Sequence, residues 1–87
     1  MTFVVRWKRS ARDQLANIWI QGPDRRAVTL AANRIDDLLQ VNPETRGESR
    51  GKERRILLEP PLGVVFKVVP EDQVVFVLAV WRFNRRS

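Results

Sequence analysis

Between Arg54 and Trp81 the chain reads RRILLEPPLGVVFKVVPEDQVVFVLAVW, three apolar runs cut by Glu59-Pro60-Pro61 and by Pro70-Glu71-Asp72-Gln73. Runs this short, rich in Val, Ile, Leu and Phe and bounded by proline, read as strands and not as one long helix. The expectation is a three-stranded antiparallel meander. Arg46, Arg50, Lys52, Arg54 and Arg55 precede its body, and Arg82, Arg85 and Arg86 follow its last strand. A meander brings alternate strand ends together, so these two basic groups are expected to converge at one edge or face of the sheet.

The alternation within the meander carries a second constraint. Ile56 and Leu58 share one face of its first strand, with Arg55, Leu57 and Glu59 on the other. The next strand, 63–69, is apolar on both faces except for Lys67, and the last, 74–81, is apolar on both throughout. A strand covered on one side only alternates apolar with polar residues. In a chain of 87 residues one set of helices covers one face, which leaves an apolar face or groove for a partner.

Upstream, TFVVRW (residues 2–7) sets Phe3, Val5 and Trp7 on one side of a first strand. Ser10 to Asp13 has the Ser-x-x-Asp spacing of a helix cap, and Ala11, Leu15, Ile18 and Trp19 then form one helical stripe. The first helix is predicted over about 10–20. Gln21-Gly22-Pro23 breaks it, with Pro23 suited to the first position of a second helix. Val28, Ala31, Ile35, Leu38 and Leu39 supply that helix with its stripe, and Asn42-Pro43 ends it. Trp19 and the Leu38-Leu39 pair are expected to pack on the sheet. From Glu44 to Glu53 periodicity is lost, and this basic, glycine-containing stretch reads either as a solvated connection or as a carrier of binding groups.

Composition narrows the chemistry. The chain lacks Cys, His and Tyr, so disulfides, thiolate metal sites and the usual imidazole base are excluded. The catalytic inventory is Asp, Glu, Lys, Arg, Ser and Thr, and neither a metal nor an organic cofactor is indicated. A net charge of +6 favours an anionic partner, nucleic acid or an acidic protein segment. No signal-peptide core and no membrane-length apolar run is present, so a cytoplasmic protein without membrane association is expected. One domain, 1–87, is expected.

The order of strand, helix hairpin, basic loop and meander resembles the RelE/ParE superfamily of bacterial type II toxins. The likeness spans almost the whole chain and is carried by RDQLANIW (12–19), NPETRG (42–47), PLGVVFKV (61–68) and VLAVW (77–81). It implies an α+β fold of order β-α-α-β-β-β, an antiparallel sheet with the helix hairpin packed on one face. It also implies a growth-inhibiting toxin, of the kind that stabilises plasmids, held inactive by a cognate antitoxin. RelE-like members cut mRNA at the ribosome, whereas ParE-like members poison DNA gyrase and are not nucleases.

By this resemblance the candidate catalytic residues are Lys52, Arg54, Arg55 and Arg82, with Arg46, Arg50, Lys67, Arg85 and Arg86 as RNA- or target-binding cations. Two positions that hold catalytic side chains in RelE-like nucleases fall here on Gly63 and Phe83 and are vacant. Arginine stays protonated and is a poor base, so cleavage would draw on Glu53 or Glu59. The alternatives are a ParE-like gyrase poison and a non-toxic basic domain that binds nucleic acid or protein.

Overall fold

The computed structural model describes residues 2–83. Five strands and two helices follow in the order β1 (Val4–Trp7), α1 (Arg9–Gln21), α2 (Arg25–Gln40), β2 (Glu48–Ser49), β3 (Arg54–Glu59), β4 (Leu62–Val69) and β5 (Val74–Arg82). The strands form one sheet in the order β1-β5-β4-β3-β2. The α+β class and the helix hairpin on one face match expectation. The meander is antiparallel, but β1 lies parallel to β5, with Val4 opposite Val74 and Trp7 opposite Val77. The predicted loop also contains a single 3-10 turn, Pro43–Thr45, and the two-residue strand β2.

Packing follows from the alternation. Leu62, Val64 and Phe66 of β4 and Val75, Val77 and Val80 of β5 point toward the helices and are buried against Ala11, Val28, Ala31, Ile35 and Leu39. Each large side chain among these contributes about 1.5–3 kcal/mol by leaving water. An irregularity sets Val65 opposite Ala79 but Phe66 opposite Val77, so Leu78 is the extra residue of a bulge. It keeps both halves of β5 facing the core. Past Trp7, no strand among the described residues lies beside β5 on that edge, and Gln14 Oε1 of α1 accepts the Val80 N–H at 2.9 Å.

Several helix boundaries depart from the sequence reading for visible reasons. The Lys8 amide still bonds Val77 O of the sheet, and the Lys8 carbonyl already accepts the Arg12 N–H. The turn into α1 therefore occurs at Lys8, and Ser10 lies inside the helix and caps nothing. The second helix begins at Arg25, not at Pro23, with Asp24 just before it, and the Asp24 carboxylate binds Arg82 Nη1 at 2.8 Å instead of capping the helix. Trp19 does not join the core. It is 40% exposed, donates to Thr29 Oγ1 and lies under the Arg25 guanidinium, whose centre is 4.6 Å from the ring centroid. Leu39 is fully buried as expected. Among the described residues, no helix is long and apolar enough to cross a membrane.

Candidate nucleic-acid interface

The sheet face away from the helices is uncovered by any described element, and strand register arranges it in three rows. Arg6 of β1, Phe76 of β5, Lys67 of β4 and Arg54 of β3 make the first. Ala79, Val65 and Ile56 make the second, and Trp81, Gly63 and Leu58 the third. Apart from Gly63, every residue in these rows is half-buried or exposed. Here is the second apolar face that the unbroken strands required, and one end of it is cationic.

Arg54 and Lys67 stand directly opposite each other. Facing like charges destabilise a sheet pair, so this placement favours folding only if an anion is close. Glu53 supplies one, its Oε1 lying 3.8 Å from Lys67 Nζ. These three groups, with Ser49, Glu44 and Glu71, line a cleft of about 530 Å³.

The turn that delivers Glu53 is conformationally unusual. Gly51, Lys52 and Glu53 all have positive φ, at 75°, 50° and 64°, and Arg54 N–H closes the turn on Gly51 O at 2.9 Å. Left-handed backbone at both central positions of the Gly51–Arg54 turn is a type I′ geometry, which Asn, Asp and Gly favour. Lys-Glu there costs free energy, and such strain clusters at functional positions.

Of the other candidates, Arg55 also lines this cleft, but from the helix side of the sheet, donating Nε to Arg46 O at 2.7 Å and Nη2 to Gly47 O at 3.0 Å. Arg46 in turn donates to the carbonyls of Leu38 and Val41, satisfying the end of α2. Arg50 pairs with Glu48 at 3.0 Å, and Lys52 is exposed in the turn. Arg82 faces the hairpin, bonded to Asp24 and to Ile18 O. Its hydrogen bond holds the Asp24 carboxyl below its ordinary range. Glu59 pairs with Arg34 of α2 at 3.1 Å, away from the cleft. Arg85 and Arg86 lie outside the described residues.

The two basic groups accordingly do not converge at Arg82. Register sets Arg54 against Lys67 at one end of β4 and Arg82 against Leu62 at the other, five residues or about 16 Å apart. The vacancy at Gly63 also has a steric cause. A Cβ there would come within 2.6 to 2.8 Å of Cε2, Cζ2 and Nε1 of Trp81. The indole lies across the strand where a catalytic side chain would rise. Phe83, the second vacant position, donates its N–H to Pro61 O at 2.7 Å.

Arg6, Phe76 and Trp81 were not singled out from sequence as site residues. Arg6 stands on this face because β1 joins β5, and Phe76 and Trp81 share it because the bulge at Leu78 shifts the alternation of β5 between them; no short-range pattern announces either.

No protein-family model matches the sequence, and no curated protein matches it as a relative. Solved structures do. The chain resembles one in the RelBE2 toxin–antitoxin complex of Mycobacterium tuberculosis, with 18% identity, TM-score 0.76, and coverage of 94% of this chain and 92% of that one. A chain of the chromosomal ParDE toxin–antitoxin system of P. aeruginosa is 25% identical, with TM-score 0.73 over 94% and 97% of the two chains. The archaeal RelE–RelB complex of Pyrococcus horikoshii matches with 18% identity and TM-score 0.63 over 99% and 100%.

Proposed function

We propose that this chain, which has the RelE/ParE toxin fold, is the toxin of a type II toxin–antitoxin pair and acts on RNA at its open sheet face. Support for the toxin reading comes from near full-length similarity to chains solved within RelBE and ParDE systems. An antitoxin has two apolar surfaces to cover here. One is the open face, and the other is a groove of about 690 Å³ between α1 and α2, lined by Trp7, Leu15, Trp19, Ile20 and Ala32.

The observation that carries the RNA reading is the Arg54, Lys67 and Glu53 cluster in one cleft. Cleavage by the ribose 2′-OH needs a proton acceptor, a proton donor and a cation on the phosphate. Glu53 takes the 2′-OH proton as that oxygen bonds to phosphorus. Arg54 holds the phosphate oxygens, and Lys67 protonates the departing 5′-oxygen. The products are a 2′,3′-cyclic phosphate and a 5′-hydroxyl, so atoms and charge balance with no cofactor.

Induction of the gene followed by primer extension tests this. Growth arrest with ribosome-dependent cuts within codons is expected, and Glu53→Gln should lower cutting by about a hundredfold, a typical general-base contribution. Arrest without cuts would refute cleavage. A second reading, a ParE-like gyrase poison, draws on Trp81 lying over Gly63 and on Arg55 and Arg82 being held in structural bonds. A DNA-damage response without RNA cuts would favour it.

A further inference from the structure

We infer that Trp81 and Phe76 form a base-stacking platform for a single-stranded polynucleotide, RNA if the reading above holds, on which the inference rests. Both aromatics belong to β5 and face the open side of the sheet, one in the outermost row and one in the cationic row. Four residues of β4, Gly63 to Lys67, separate the rows, a span of about 13 Å. Between them lie only Ala79, Val65 and Ile56, which make a low apolar floor.

Gly63 has a positive role in this arrangement. With no Cβ beneath it, the indole of Trp81 rests close against the β4 backbone, and the residue is half-buried. An aromatic laid against a sheet is the geometry on which unpaired bases stack, and every base has a π-face, so the contact tolerates sequence.

Charge complementarity selects the occupant. Arg6, Lys67 and Arg54 flank Phe76 within the cationic row, so an occupant that reaches Phe76 must bring negative charge to this end of the face. Glu48 and Glu53 are each paired with a cation, Arg50 and Lys67, while Glu44 and Glu71 line the cleft at one end of the cationic row. Arg6 and Arg54 have no ion pair with another described residue. Backbone phosphates fit these cations while bases reach the rings, as in grooves that track single strands.

The test uses the full chain carrying Glu53→Gln, so that binding is read without cleavage, and labelled oligo-uridine of about eight nucleotides, within the range one small binding fold holds. Wild-type aromatics should bind the strand with quenching of tryptophan fluorescence. Trp81→Leu should weaken binding by roughly five- to a hundredfold, the range for losing one stacked base, with the salt dependence unchanged. Trp81→Phe should restore most of it. Arg54→Gln with Lys67→Gln should instead flatten the salt dependence. Phe76→Leu serves as an independent stacking variant should Trp81→Leu fail to fold.

If the protein with intact aromatics binds no strand, the RNA reading itself falls. Equal binding by the leucine variants and the wild type would overturn the platform and leave RNA recognition standing. Equal affinity for a duplex of the same length would also overturn stacking. Tighter binding of oligo-thymidine than of oligo-uridine would overturn the assignment to RNA.

Discussion

Replacing Lys52-Glu53 with Asn-Gly should make the protein more stable and less toxic. Both residues occupy left-handed backbone, φ 50° and 64°, which costs an L-residue about 1–2 kcal/mol. Asn tolerates that region better and Gly adopts it freely, so the exchange relieves roughly 2–3 kcal/mol of strain. Two losses oppose the gain. Glycine adds about 0.5–1 kcal/mol of unfolded-state entropy, and the exposed Glu53–Lys67 pair is worth at most about 1 kcal/mol. A net stabilisation of about 1 kcal/mol remains, which raises the melting temperature by about 4–8 °C in a domain of this size. Thermal and urea melts of wild type, the double variant and Glu53→Gln measure it, the last keeping the backbone strain. A double variant that melts no higher than wild type would refute the strain argument. One that melts higher yet still arrests growth would remove the turn from the site.

Three further substitutions separate structure from activity. Arg54→Ala should leave the melt almost unchanged and abolish RNA cleavage, while Arg55→Ala, losing its bonds to the Arg46 and Gly47 carbonyls, should cost about 1.5–3 kcal/mol in urea denaturation. Gly63→Ala should cost about 1–3 kcal/mol through overlap with the Trp81 ring, and a double-mutant cycle with Trp81→Ala should show that the two changes are coupled. Asp24 carries a folded-state pKa below its ordinary 3.8, so its contribution is complete above that value and disappears as pH falls through the lowered pKa. Melting temperatures of wild type and Asp24→Asn should accordingly converge on acidification, and a gap that widens toward low pH would reverse the assignment.

The meander and both helices could be read from the chain because their signals are local. Proline at 60–61 and 70 isolates the apolar runs, and the spacing of Val28, Ala31, Ile35 and Leu39 matches the buried stripe of α2. The position of β1 could not, since Val4 opposes Val74 across most of the chain and neither segment encodes the other. Trp19 was misjudged for a related reason. Its stripe neighbours Leu15 and Ile18 pack against the core, but Thr29 and Arg25 hold the indole at the hairpin's exposed side.

Charge was the least legible property. Arg46, Arg55 and Arg82 look the same in sequence as Arg54, yet each of the three spends its guanidinium on backbone carbonyls or Asp24. Which arginines serve the fold depends on which carbonyls a finished helix or turn leaves unpaired, and that is known only after folding. Lys67 was legible because it alone interrupts an apolar strand.

The parallel seam between β1 and β5 also sets a schedule for synthesis. Val4 leaves the ribosome 70 positions before its neighbour Val74, and the core strand β5, which touches α1, β1 and β4, is the last element of the sheet to emerge. Until then the amino-terminal strand has no lateral partner, and Arg6 cannot stand beside Phe76. A nascent chain thus has no assembled open face while most of it is being made, and that face is complete only once β5 has emerged.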